Sequence, residues 1–170
     1  PSETDMAHFY TAGYSEHTFS QDAAPALVER KTLSFNHIVP TLAQQITIDS
    51  SVKAILTGIG DPLYPPGRTP PPMVRPVEPG HVHIGFEIAR MMNIKQGETI
   101  DLSGEQFTIV RIAPETGSID DVRIIGHLPD VQRVLSQVGR INEISAIDCL
   151  CLTEQGDAQA IIRSEIEKVI

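Results

Sequence analysis

The chain has 170 residues, of which 41% are hydrophobic and 21% are charged, as in an ordinary globular protein. Its 22 acidic side chains outnumber 13 basic ones, and the resulting net charge of −9 argues against nucleic acid as a partner. Aromatic residues make up only 5% and tryptophan is absent, which argues against carbohydrate platforms and base-stacking surfaces.

The first part of the chain predicts an arm, a helix and two strands. Residues 1–20 are polar with scattered aromatics, and we expect them to form an irregular N-terminal arm. Residues 22–35 favour a helix, because they begin with a capping residue and place a proline in the first turn. Two strands are predicted next, because residues 41–49 alternate, residues 52–59 are richer in apolar residues, and residues 49–51 between them suit a turn.

A proline-rich segment, residues 60–80, separates the two halves of the chain. Its eight prolines remove backbone donors and restrict φ, so neither a helix nor a central strand can run through it. We interpret it as an extended loop that crosses the surface. The alternative is a ligand for a proline-recognition domain.

The second half alternates strands and helices. Strands are predicted over residues 81–84, 98–102, 106–112, 122–126 and 144–152, and helices over residues 86–93, 129–138 and 157–169. Residues 144–152 are apolar on both faces, which predicts a strand in the centre of its sheet. Hairpins mixed with crossover helices indicate an α+β fold with a mixed or antiparallel sheet, and residues 21–170 are predicted to be a single domain.

Five segments in order carry a resemblance to a known family. Residues 84–102 are similar to its strand, Gly-containing turn, short helix and following strand, and residues 107–112 are similar to the next strand. Residues 118–121, 128–135 and 141–144 resemble the loop, helix and strand entry that follow. Together they resemble the MacB-like periplasmic core domain, a porter-like α+β domain of FtsX-like ABC-transporter permeases.

The resemblance implies a domain cut from a membrane protein, lying on the extracytoplasmic (periplasmic) face of the bacterial inner membrane between two membrane helices. The expected partners are the helices of its own permease, a cytoplasmic ATPase subunit, a periplasmic protein of unknown identity and a second copy of the permease. The expected function is to couple the ATPase cycle to the handling of a lipoprotein, peptide or drug. No catalytic group, cofactor or bound metal is implied, so the domain is expected not to be an enzyme.

Two features depart from the family pattern. Arg111 stands where the family more often has glycine. Residues 60–79 are shorter than the region that often forms a second lobe in these proteins. The resemblance therefore implies a core domain without that lobe.

Paired histidines and cysteines form an alternative, metal-binding hypothesis. His81 and His83 lie two residues apart, so they share one face of a predicted strand, and Cys149 and Cys151 do the same in another. Four such ligands could hold zinc or copper if the two strands met. The rival function is therefore a periplasmic metal-binding or small-molecule-binding module.

The acidic loop at residues 115–121 offers a candidate calcium site. Glu115, Asp120 and Asp121 could bind the ion, but an acidic, solvated loop accounts for them equally well. The sequence has no nucleophile elbow, phosphate-binding glycine loop or zinc-protease motif. An enzyme of an unrecognised class remains a second rival, and no residue is assigned a catalytic, cofactor or metal role.

Overall fold

The computed structural model of the protein describes residues 3–30, 35–67, 76–147 and 163–169. Parts of five predictions lie outside the described residues, namely those for the arm at 1–20, the helix at 22–35, the loop at 60–80, the strand at 144–152 and the helix at 157–169. Cys149 and Cys151 also lie outside them.

The described residues form four labelled helices, nine strands and one further helical stretch. The helices are α1 (Glu3–Ala12), α2 (Ala23–Val28), α3 (Phe86–Met92) and α4 (Leu128–Val134), with a 3-10 turn at Ile119–Val122. The strands are β1 (Phe19–Ser20), β2 (His37–Ile48), β3 (Val52–Ile59), β4 (His81–Ile84), β5 (Thr99–Leu102), β6 (Glu105–Ile112), β7 (Arg123–His127), β8 (Arg140–Ile141) and β9 (Glu143–Ile147). Residues 163–166 are helical.

In the described residues, one mixed sheet of seven strands has the order β5-β6-β4-β7-β3-β2-β9. The β3–β7 and β4–β6 pairs are parallel and the other pairs are antiparallel. Strands β1 and β8 form a separate two-stranded sheet. The predicted α+β class with a mixed sheet and crossover helices is confirmed.

The two faces of the sheet are covered differently. Helices α3 and α4 lie on one face, where Leu56, Ile88 and Val131 belong to the largest apolar cluster. Because side chains alternate along a strand, Ala43 on β2 points to the opposite face. There it packs with Tyr14 and Ile55, so residues following α1 cover part of that face.

The structure corrects the expectations for the N-terminal arm and for the strand at 144–152. Residues 3–12 form helix α1, whereas the whole arm over residues 1–20 was expected to be irregular. Strand β9 lies at the edge of the described sheet, not in its centre. Its Ile144 is covered instead by a second apolar cluster, which includes residues of α2 and Ile166. In the part of the chain that the structure describes, no helix is both long and apolar enough to cross a bilayer.

Candidate interface between the N-terminal segment and the sheet

The buried side chain of Asn142, between β8 and β9, joins the N-terminal segment (residues 3–21) to the sheet. Its Oδ1 accepts a hydrogen bond from the Ala43 N–H at 2.9 Å, and its Nδ2 donates to the Ala43 carbonyl at 2.7 Å. The same Nδ2 also donates to the Ser15 carbonyl. An amide suits this position because it carries both a donor and an acceptor, like the peptide group it faces.

Arg123, the first residue of β7, makes a second connection. Its Nη1 donates to the buried Thr57 Oγ1 on β3 at 3.0 Å, and its Nη2 donates to the Gly13 carbonyl at 3.4 Å. Its Nε lies 3.1 Å from the Asp120 carboxylate. Because a guanidinium presents several donors in a fixed plane, one side chain can hold a strand, a turn and the N-terminal segment together.

Further connections follow along the same segment. The Arg140 guanidinium donates to both the side-chain and backbone oxygens of Thr18. The Gln132 Nε2 donates to Gln21 Oε1 and to the Arg140 carbonyl, each at 2.8 Å. The pairing of β1 with β8 adds a backbone ladder. The segment is therefore attached to the body of the domain at successive points, from Gly13 to Gln21.

A polar cleft of about 430 Å³ opens beside these contacts. It is lined by Tyr14, Ser15, Glu16, Thr18, Ala43, Gln44, Gln45, Gln137 and Asn142. Side-chain amides and one carboxylate dominate this lining. It therefore favours hydrogen-bonding partners over apolar ones.

His81 and His83 share a face of β4, as their spacing predicts, and both are half-buried. The Nδ1 of His81 is buried and has no hydrogen-bond partner in the described part of the chain. Burial, and to a smaller extent the Arg111 guanidinium, lowers the pKa of His83 below its usual value. The register of β4 and β6 shifts at this point, which sets Arg111 opposite His83.

We expect His83→Gln to flatten the pH dependence of stability below about pH 6.5. The pKa of His83 is lowered in the folded protein, so the unfolded chain binds more protons just below the ordinary histidine value of 6.5. The free energy of unfolding therefore rises with pH across that window. The full loss of stability is reached once the pH falls below the pKa that His83 has in the folded protein. Urea unfolding on both sides of the window measures the slope. Arg111→Gln should flatten it partly, and an unchanged slope in His83→Gln would contradict the assignment.

The acidic loop uses its carboxylates internally. The Asp121 side chain accepts hydrogen bonds from the Thr116 Oγ1 and from the backbone N–H groups of Thr116 and Gly117, at 2.7 to 3.2 Å. Burial alone would raise the pKa of Asp121, but these hydrogen bonds together lower it. Asp120 pairs with Arg123, and Glu115 is exposed. The three residues therefore do not converge, and Asp121 closes the loop.

The metal-binding hypothesis gains no geometric support from the described residues. Among them, no three histidine, cysteine or acidic side chains come together in a metal-binding arrangement. The nearby buried Asp130 carboxylate accepts hydrogen bonds from the Gly80 N–H and from Arg133, each at 2.8 Å. Because Cys149 and Cys151 lie outside the described residues, their contribution stays a prediction.

Solved structures share the fold of this chain, although no protein-family model and no curated protein matches the sequence. The periplasmic region of MacB from Actinobacillus actinomycetemcomitans is similar with a TM-score of 0.55 and 12% identity, over 88% of this chain and 72% of that chain. The extracellular domain of the noncanonic ABC-type transporter YknZ from Gram-positive bacteria is similar with a TM-score of 0.55 and 12% identity, over 97% and 84%. This chain has the fold of those extracytoplasmic domains. The predicted MacB-like fold is thereby confirmed.

The residues that attach the N-terminal segment within this MacB-like fold were not identified from the sequence. Asn142 lies in one of the segments that carry the resemblance, but its role depends on Ala43 and Ser15, which are 99 and 127 residues away along the chain. The available signal was weak. A single asparagine follows an apolar residue at the start of a strand. Its one distinguishing property is a side-chain amide that both donates and accepts hydrogen bonds, as a peptide group does.

Proposed function

We propose that this protein is the extracytoplasmic domain of an ABC-transporter permease that works as one of two copies with a cytoplasmic ATPase. In this role it couples the ATPase cycle to a periplasmic partner or to a lipoprotein, peptide or drug substrate, and it catalyses no reaction of its own. The observation that carries the proposal is the likeness of fold to the MacB and YknZ domains over 88% and 97% of the chain.

The attachment of the N-terminal segment supports a coupling role. A domain that transmits movement must remain one body when its N-terminal end is displaced. Asn142, Arg123 and Arg140 bind backbone carbonyls of the segment, so they hold the main chain itself and not only its side chains. Displacement of the segment would therefore be passed to β7, β8 and the strand β2 that Asn142 contacts.

Spin-label distances in the full-length permease, reconstituted with its ATPase, test this coupling. Tyr10 and Val138 are 77% and 74% exposed, so cysteines at these positions can carry labels after Cys149 and Cys151 are replaced by serine. We expect the distance between labels at 10 and 138 within one copy to stay the same when ATP is added. The distance between labels at 138 in the two copies should change.

Two outcomes contradict this account. A change in the distance within one copy would mean that the segment detaches and that the domain is not one body. Constant distances within and between copies would mean that the ATPase cycle does not move the domain.

A further inference from the structure

Strand β2 has an open edge over part of its length. It pairs with β3 from Thr41 to Ile48, but with β9 only from His37 to Thr41. Among the residues that the structure describes, residues 44–48 therefore have a strand on one side only. We call this stretch the β2 edge.

Asn142 marks the point where the ladder stops. Its amide makes the pair of hydrogen bonds with Ala43 that a further residue of β9 would make. Backbone groups alternate in direction along a strand, so Gln45 and Thr47 point their N–H and C=O groups to the same side as Ala43. Among the described residues, no hydrogen bond reaches these groups from that side.

The β2 edge lacks the features that protect exposed edges. Residues 41–48, TLAQQITI, contain neither a charge nor a proline, and they include β-branched residues. The edge strand at the other end of the sheet, β5, differs. Its Asp101 binds the Gly104 N–H and the Gln106 side chain, which places a charge on that edge. An unprotected edge in a soluble region is a surface on which another strand can dock.

The two faces beside the β2 edge specify the chemistry of a docked strand. On one face Gln44 is exposed, but Ile46 is half-buried and Ile48 is buried in the apolar cluster under the helices. The side chains that an added strand places beside these two isoleucines should therefore be apolar. Gln45 and Thr47 are exposed on the opposite face, next to the cleft that contains Glu16. The Glu16 carboxylate and the net charge of −9 favour basic side chains there.

We propose that residues 44–48 of β2 are a docking site for an extended strand of a partner protein, in which apolar residues alternate with basic ones. The added strand begins beside Asn142 and continues the sheet through the N–H and C=O groups of Gln45 and Thr47. The proposal rests on the proposed function for the identity of its partner, a periplasmic protein, but the edge itself can be tested alone.

Amide hydrogen exchange tests the edge with a blocked peptide of alternating lysine and valine as the probe. In the free protein the N–H groups of Gln45 and Thr47 should exchange faster than those of Gln44 and Ile46, which are bonded to β3. At about 90% occupancy the peptide should slow exchange at Gln45 and Thr47 by about tenfold, because only the free fraction exchanges. The Ala43 amide, already bonded to Asn142, should change little.

Variants and a matched peptide make the test decisive. Thr47→Pro removes a donor on the open side, and Thr47→Lys adds a charge that repels the probe, so both should abolish protection. Thr99→Lys on β5 should leave protection unchanged. Equal protection by an alternating glutamate–valine peptide, or no protection by the lysine–valine peptide, would overturn the proposal. If exchange at Gln45 and Thr47 slows as the protein concentration rises, with no peptide present, the β2 edge binds a second copy of this chain and the proposal is overturned. None of these results depends on where the protein lies in the cell.

Discussion

Asn142→Ala is expected to lower the free energy of unfolding by about 3 kcal/mol, since truncation leaves buried backbone groups without partners. The variant loses the hydrogen bonds to both backbone groups of Ala43 and to the Ser15 carbonyl. Denaturation in urea, followed by the shift in midpoint at constant slope, measures the loss.

Two further variants show whether the loss of stability comes from the hydrogen bonds of Asn142. One keeps the volume of its side chain, and the other shortens a different side chain in the same cleft. Asn142→Asp keeps an acceptor for the Ala43 N–H but places a carboxylate against the Ala43 and Ser15 carbonyls, so it should destabilise at least as much as alanine. Gln137→Ala, in the lining of the same cleft, should stay within about 0.5 kcal/mol of the natural protein. A similarly small effect of Asn142→Ala would show that the N-terminal segment is not held as described.

Gly85→Ala is expected to destabilise the protein by about 3 kcal/mol or more, because the new methyl group collides with main chain that cannot yield easily. A Cβ at this position would lie 2.3 Å from the Asp121 carbonyl oxygen and 2.4 Å from that of Asp120. Gly85 also donates its N–H to the Arg123 carbonyl at 2.8 Å, which fixes the approach. Thermal and urea unfolding should both report the loss.

Gly80→Ala provides the matched control. Gly80 has φ of +74°, but no heavy atom of the described residues lies within 4 Å of the position that a methyl group would take. Alanine there should therefore lower the free energy of unfolding by about 1 kcal/mol, through backbone conformation alone. Gly85 has the ordinary φ of −70°, so its cost is entirely steric. Equal destabilisation by the two substitutions would contradict the close packing of α3 on the turn at Ile119–Val122.

Strands and helices with clear periodicity were predictable from the sequence. Strand β3 spans Val52–Ile59, as its run of apolar residues predicts, and β4 spans His81–Ile84, as predicted. Helix α4 ends at Val134, four residues before its predicted end, and Ser136 just beyond it adopts a φ of +55°. Periodicity identifies an element more reliably than it identifies the residue where the element ends.

The position of β9 in the sheet and the contacts of the N-terminal segment were harder to predict, because both depend on residues that are distant along the chain. The apolar residues on both faces of β9 indicate that the strand is buried. They do not indicate whether neighbouring strands or packed helices cover it. In the structure, apolar residues of α2 and of 163–169 belong to the cluster that covers it. Arg123 likewise gives no local sign that it contacts Gly13, which lies 110 residues earlier. Local pattern carries little information about such pairs.

The location of the natural protein tests the central claim most directly. If this chain is the extracytoplasmic domain of a permease, an antibody raised against it should detect the full-length protein in the membrane fraction of the cells that make it. Protease added to spheroplasts should destroy the epitope while a cytoplasmic marker survives. A full-length protein that fractionates without membranes, or an epitope that is cleaved only after the spheroplasts are lysed, would contradict the account.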